Sequence, residues 1–305
     1  MKITRRQFLK GILASAAALG LSNSHLFRIY EAFADATTSP PIIWLQASGC
    51  TGCSVSFLNW IDSTTGHEAD EVLLENISLK YHPTIEAAAG QLAIDTAKNA
   101  RTTYSGSYVL VVEGAVPTGL NGNYCHIWND AGTPYTAKQA VLDFAATANN
   151  IISLGTCAAY GGIPAGAPNP TVASGVNTLL PWVDAKKVVN IPGCPAHPDL
   201  LVGTIVDILT GNLGKLDSIG RPVKYYANSI HQLCPRVCSK KANDIGEVGC
   251  LIKVGCRGRS SKGDCPTRMW NNGINWCVGV NAPCNGCTEP DFPVAGLYDN
   301  SERRR

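Results

Sequence analysis

The sequence predicts an α/β fold: a parallel sheet domain followed by a small, irregular, cysteine-rich domain. Three observations predict it. Short apolar runs alternate with helical stretches from Ile42 to about Leu209, and unbroken apolar strands separated by helices indicate a parallel sheet covered on both faces. A loop of small residues follows each run. From Tyr225 onward the periodicity fades while Cys, Gly, Asn and Pro become dense, as in a segment whose core is inorganic.

Taken in order, the strands are expected at Ile42–Leu45, Tyr108–Val112, Ile151–Leu154 and Val188–Ile191. Helices are expected at Ser54–Ile61, Thr84–Asn99, Ala137–Asn149 and Asp199–Thr210. The loops after the strands are Ala47-Ser48-Gly49-Cys50, Glu113-Gly114-Ala115, Gly155-Thr156-Cys157 and Pro192-Gly193-Cys194. Three of these four carry cysteine to the carboxyl edge of the sheet, where open α/β sheets place their sites. The expected division is an N-terminal segment over 1–34, the sheet domain over 35–222 and the cysteine-rich domain over 223–305. There is no internal repeat.

The chain has 305 residues, 45% hydrophobic and 16% charged, which fits packed globular domains and excludes a disordered chain. Residues 1–34 hold five basic groups and one acid, leaving 20 basic and 22 acidic residues in the remainder. A nucleic-acid partner needs a basic excess to displace counterions from phosphate, so that class is excluded. Thr4-Arg5-Arg6-Gln7-Phe8-Leu9-Lys10 resembles the twin-arginine export signal, and the apolar run Gly11 to Leu21 follows it. That run is about half of what a membrane-crossing helix needs. Ala32-Phe33-Ala34 offers a cleavage site before Asp35. No later stretch approaches the ~18 apolar residues of a transmembrane helix, so the mature chain is expected to lack one of its own and to be soluble or peripherally attached in the periplasm.

Thirteen cysteines are an odd number for a disulfide framework. Cys50-Thr51-Gly52-Cys53, Cys157 and Cys194 would put four thiolates at one sheet edge. Iron–sulfur, structural zinc and disulfides all accept such a set. Gly49, Gly52, Gly155 and Gly193 would let backbone N–H groups approach sulfide closely. Among six histidines, only His231 has cysteine at a ligand-like i+3 spacing. His25, His67 and His126 read as ordinary surface or core residues.

The runs Cys50-Thr51-Gly52-Cys53, Ile77-Ser78-Leu79-Lys80-Tyr81-His82, Glu113 to Gly119, Gly155-Thr156-Cys157-Ala158 and Pro192-Gly193-Cys194-Pro195 resemble the small subunit of nickel–iron hydrogenases. The likeness continues through His231-Gln232-Leu233-Cys234-Pro235-Arg236 and Cys250–Gly258 to Pro283-Cys284-Asn285-Gly286-Cys287, covering residues 42–295 in order. The resemblance implies a flavodoxin-like domain and a C-terminal cluster domain, with three iron–sulfur clusters in a line. It assigns Cys50, Cys53, Cys157 and Cys194 to a proximal 4Fe–4S cluster. His231, Cys234, Cys250 and Cys256 match the distal 4Fe–4S set. Cys265, Cys284 and Cys287 match the medial set. His82 and His197 lie in family-like runs, where a structural hydrogen bond is expected rather than ligation.

Asn275-Trp276-Cys277 stands where many members show Trp-Pro. Proline cannot ligate, and those members hold a 3Fe–4S medial cluster. Cys277 would supply a fourth thiolate and make it 4Fe–4S; if Cys277 is no ligand, the centre is 3Fe–4S. With Ser54-Val55-Ser56 in place of the common Ser-Glu-Ser, this looks like the nickel–iron–selenium branch. Gly52 and Gly162 stand where oxygen-tolerant relatives have extra cysteines, so the modified proximal cluster of those relatives is not expected. Cys125 reads as a small hydrophobe. Cys238 lies inside the distal loop, which is shorter than is common in the family; it could ligate there or pair with Cys125.

The family's nickel site uses paired cysteines on the partner subunit, and no second cysteine set is left here to supply them. The implied function is therefore electron transfer between the nickel–iron(–selenium) site of a hydrogenase large subunit and an external redox partner, expected to be a periplasmic multihaem cytochrome c. A freestanding ferredoxin-like carrier would need neither the sheet domain nor three sites. The cluster-bearing component of a quinone-linked respiratory complex would lack the His231–Cys287 region.

Overall fold

The computed structural model describes residues 40–62, 68–73 and 77–293; the expected signal segment over 1–34, with His25, and also His67 lie outside them. Five strands form the central sheet: β1 Pro41–Gln46, β2 Ser78–Tyr81, β3 Val109–Glu113, β7 Asn150–Leu154 and β9 Val188–Ile191. Two small antiparallel pairs complete the strands among the described residues, β4 Val116–Pro117 with β8 Ala173–Ser174, and β5 His126–Asp130 with β6 Thr133–Thr136. The sheet order is β2-β1-β3-β7-β9 and every pairing is parallel. In chain order this is the 2-1-3-4-5 arrangement of flavodoxin-like folds, whose switch point lies between β1 and β3.

The four expected strands are present within a residue or so. The longer helices are α1 Gly52–Leu58, α2 Gly90–Thr103, α3 Ala137–Ala145, α4 Gly155–Tyr160 and α5 Pro198–Leu209. The second starts six residues later than expected, because the chain runs irregularly from His82 to Ala89 and enters the helix through extended Ala89. The sheet's faces bury separate cores. Ile42, Trp44, Val111, Ile152 and Ile191 pack with Leu201, Ile205 and Tyr226 on one side. Ile43, Leu110, Val112 and Ile151 pack with Ala97, Val141 and Phe144 on the other.

Beyond Arg221 every described α-helix is a single turn: Val223–Tyr226, Ile230–Leu233 and Cys265–Arg268. Tyr225 and Tyr226 still pack in the sheet core, and Tyr226 Oη donates to the Pro192 carbonyl at 2.8 Å. Ile230 begins a third core with Ala242, Leu251, Trp276, Val278 and Cys284. Polar ties join the two regions. Arg268 donates to Asp199 Oδ2 at 3.1 Å, and Arg221 donates to the Thr288 carbonyl at 3.2 Å and Glu289 at 3.0 Å. These hold the cysteine-rich region against the carboxyl edge of the sheet.

Candidate metal centres

Helix α1 begins at the tip of β1 and carries Cys53 in its first turn. Its start is fixed by Glu113, the last residue of β3, which is 2% exposed. The Glu113 carboxylate accepts N–H bonds from Cys53 at 3.0 Å and Ser54 at 3.2 Å, and accepts from Ser54 Oγ and Trp44 Nε1. A carboxylate at a helix start satisfies donors that have no partner within the helix. His82 continues the network. Its Nδ1 accepts from the Thr84 and Ile85 amides, so its Nε2–H faces Ser54 Oγ at 3.1 Å. Burial pulls the imidazole down to about 4, which keeps it neutral in this role.

Around this anchor stand Cys50, Cys53, Cys157 and Cys194. Burial pushes the Cys53 thiol far above its ordinary range, and the proximity of Cys157 and Cys194 adds to the rise. Burial, then the neighbouring Cys194 and Cys50 thiols, push Cys157 up to about 11. Amides aim at the sulfurs: Ala196 N–H reaches Cys53 Sγ at 3.5 Å, and Ile163 N–H serves Cys157. Gly155 has φ +82°, and a Cβ there would lie 2.5 Å from Cys53 Sγ. At Gly162, φ +51°, a Cβ would stand 3.0 Å from Cys157 Sγ. Small residues keep the space beside these sulfurs clear.

A second set comprises Cys265, Cys277, Cys284 and Cys287. Burial raises the Cys265 thiol far above its ordinary range, and Cys287, Cys284 and Cys277 all crowd it. Burial raises Cys287 to about 12, although the Cys194 amide donates to its sulfur. Cys284 receives the Gly286 amide and the Ser261 hydroxyl. Cys277 lies within electrostatic range of the other three and also of Cys256 in the next set. The third set, His231, Cys234, Cys250 and Cys256, lines one small cavity with Arg236, Val237 and Arg259. Ser229 caps the turn that bears His231, and the Arg236 amide meets Cys234 Sγ at 3.4 Å.

The sets adjoin in a row. Cys287 neighbours Cys194, and Thr156 ties them, accepting from Gly193 N–H at 2.9 Å and donating to the Cys287 carbonyl. At the other end, Cys256 neighbours both Cys277 and Cys284. All thirteen cysteines are free thiols, so Cys125 and Cys238 are unpaired with each other. Cys238 is exposed and does not line the cavity of the third set. His197 donates from Nε2 to the Met269 carbonyl at 2.7 Å while Nδ1 accepts from the Asp199 amide, a structural role; His126 is exposed beside Asn123.

The donors fit iron–sulfur clusters. Among the described residues no three His, Cys, Asp or Glu side chains are arranged to hold a single ion, and the third set lines a cavity. Buried thiols with raised pKa become thiolates only beside cationic metal, and amide donors to sulfur stabilise a cluster's negative charge. The structural hydrogen bonding expected of His82 is present, whereas the positioning roles of Glu113, Ser54 and Thr156 are not visible in the sequence. The available signal is an acid closing an otherwise wholly apolar strand.

Residues 50–208 match the family model for the NADH ubiquinone oxidoreductase 20 Kd subunit, and 226–298 match that for the C-terminal part of the NiFe/NiFeSe hydrogenase small subunit. Residues 2–22 match the twin-arginine translocation signal, so the chain is an exported protein of the periplasm. The chain is 39% identical to a periplasmic [NiFeSe] hydrogenase small subunit of Desulfomicrobium baculatum, over 96% of this chain and 97% of the relative. It is 36% identical to a periplasmic [NiFe] hydrogenase small subunit of Solidesulfovibrio fructosivorans, over 95% and 90%. A solved H2-activated [NiFeSe] hydrogenase of Desulfomicrobium baculatum superposes with TM-score 0.78 at 40% identity, covering 85% of this chain and 97% of that one. The fold, the cysteine sets and these likenesses converge: the chain belongs to the small subunits of the NiFe and NiFeSe hydrogenases, the iron–sulfur electron-transferring partners of the nickel-bearing large subunit.

Proposed function

We propose that this chain conducts electrons singly between the large subunit's nickel–iron(–selenium) site and an external carrier, a periplasmic multihaem cytochrome c. Three 4Fe–4S clusters would be held by Cys50, Cys53, Cys157 and Cys194 (proximal), by Cys265, Cys277, Cys284 and Cys287 (medial), and by His231, Cys234, Cys250 and Cys256 (distal). The observation that carries this reading is the contiguity of the three sets through Cys194 beside Cys287 and Cys256 beside Cys284. When bound, such clusters supply one-electron redox chemistry. The chain's own residues hold the ends of that path. Thr156 fixes the spacing of the first two sets, amides at Ala196, Ile163 and Arg236 stabilise sulfur charge, and His231 offers a neutral ligand where the path meets solvent.

The sheet domain over 35–222 and the cluster domain over 223–305 divide this work, with the proximal set on the former. The likeness of residues 50–208 to a respiratory-complex subunit reflects the shared sheet domain, and the C-terminal match over 226–298 favours the hydrogenase reading.

Cys277 also supports membership of the selenium branch. The test is electron paramagnetic resonance of the oxidised, anaerobically prepared complex. The wild type is expected to show no stoichiometric 3Fe signal, and Cys277→Pro should gain one. A full 3Fe signal in the wild type would remove Cys277 from the ligand set. Isolated, cluster-loaded small subunit should take up no hydrogen.

A further inference from the structure

The electron exit has an unusual charge for this chain. Between Ser229 and Gly263 the sequence holds seven basic and two acidic residues, against 13 basic and 20 acidic in the rest of residues 35–305. The basic groups gather at the third set. Arg236 and Arg259 line its cavity. Lys240 and Lys241 flank ligand Cys250 directly, since the Cys250 amide donates to the Lys240 carbonyl at 2.8 Å and Lys241 bridges to Cys250. Lys253 stands on the turn between Cys250 and Cys256 and reaches only neutral Asn243, at 2.8 Å.

Among the described residues, Lys240, Lys241, Lys253 and Arg259 form no ion pair, and the lysines and Arg259 are exposed. Both local acids, Asp244 and Glu247, lie on the loop that Ala242 and Cys250 close by a backbone bond of 3.0 Å. The same loop exposes Ile245 at 77% and Val248 at 81%, and Val237 at the cavity rim is 41% exposed. Apolar groups with a charged surround are the composition of a transient docking face. Unpaired cations there lower the energy of an approaching anionic surface and repel a cationic one.

We propose that this face docks an electron carrier whose cofactor edge is ringed by carboxylates. The proposal rests on the conduit reading and specifies the sign of its acceptor. Each hydrogen molecule split on the partner subunit releases two protons and two electrons, and the electrons reduce two one-electron acceptors at this end.

The test uses the complete heterodimer under hydrogen with three acceptors. One is a mitochondrial-type cytochrome c with a lysine-ringed haem edge, the second is the same cytochrome with its lysines succinylated, and the third is the net-neutral propyl-sulfonate viologen, which serves as the reference rate. At low ionic strength the succinylated cytochrome should be reduced about 10-fold faster than the unmodified one, and the ratio should collapse at high salt. Charge reversal by Lys240→Glu with Lys241→Glu, or separately by Arg259→Glu, should invert the preference relative to the viologen rate. The wild-type salt dependence alone decides the sign if the variants fail to assemble.

Preference for the unmodified cytochrome, or no preference, overturns the proposal while a working viologen assay leaves the conduit reading intact. Absence of viologen reduction by the loaded wild type overturns both. Sedimentation of the complex with phosphatidylglycerol vesicles, lost in the charge-reversal variants and accompanied by no cytochrome preference, would assign the face to a lipid surface instead.

Discussion

Among the described residues the faces of the sheet bury twenty-one apolar residues each, while the core of the cluster region holds six, one of them the candidate ligand Cys284. The first region closes on itself through apolar packing and parallel ladders. The second is built from single-turn helices and loops, and its eight candidate ligands on residues 231–287 outnumber its buried core residues. A region with so little apolar surface to bury cannot offset the entropy of ordering its chain, so bound metal must do so. The fold thus joins a scaffold that is stable by burial to one that is stable by coordination.

The strongest way to break this comparison is to withhold iron. Iron-depleted chain should exchange the amides of residues 229–293 with solvent at least ~100-fold faster than loaded chain, while β1, β3 and β7 stay protected. Hydrogen exchange with mass-spectrometric readout checks this, and uniform loss of protection would mean that both regions depend on metal.

One substitution made in both regions sharpens the contrast. Val111 and Val278 are both buried, the first in the sheet core and the second in the cluster core. Val111→Ala should cost about 2–3 kcal/mol by lost transfer and cavity formation. Val278→Ala in the loaded protein should cost less than about 1 kcal/mol, since iron–sulfur bonds span that core. Denaturant titration under anaerobic conditions compares them.

Glu113 sits where the regions meet. Glu113→Gln places an amide N–H₂ among donors and should cost about 1.5–3 kcal/mol, with weakened retention of iron at the proximal set. Melting temperature and iron content measure the two effects. The smallest change expected is at Cys238→Ser, an exposed thiol outside the cavity, which should leave iron content unchanged and stability within ~0.5 kcal/mol. A lost cluster there would return Cys238 to the ligand set.

The buried strands are legible in the sequence because each is apolar on both faces, and Val109–Glu113 is buried throughout. Strand β2 is not, since Ser78, Leu79 and Lys80 are only half-buried at the sheet edge and show no apolar run. The β5/β6 hairpin escapes such a reading because its strands are exposed or half-buried around a single buried Trp128. Ligand candidates are legible because cysteine spacing is local chemistry. Their positioning groups are not: Glu113 meets Ser54 from 59 residues away, and His82 meets it from 28. Only folding creates those pairs.

The tie from Thr156 to Cys287 spans 131 residues. During synthesis at roughly 5–20 residues per second, Thr156 waits on the order of ten seconds for its partner to be made. The export signal at residues 2–22 is by then long exposed. Because the junction between the first two sets cannot close until Cys287 exists, a chain dispatched as soon as its address emerged would leave with that junction open. The route its signal selects carries folded proteins, and this one hydrogen bond gives a reason in time: the last candidate ligand to be synthesised completes the join to the first set, so departure has to follow completion.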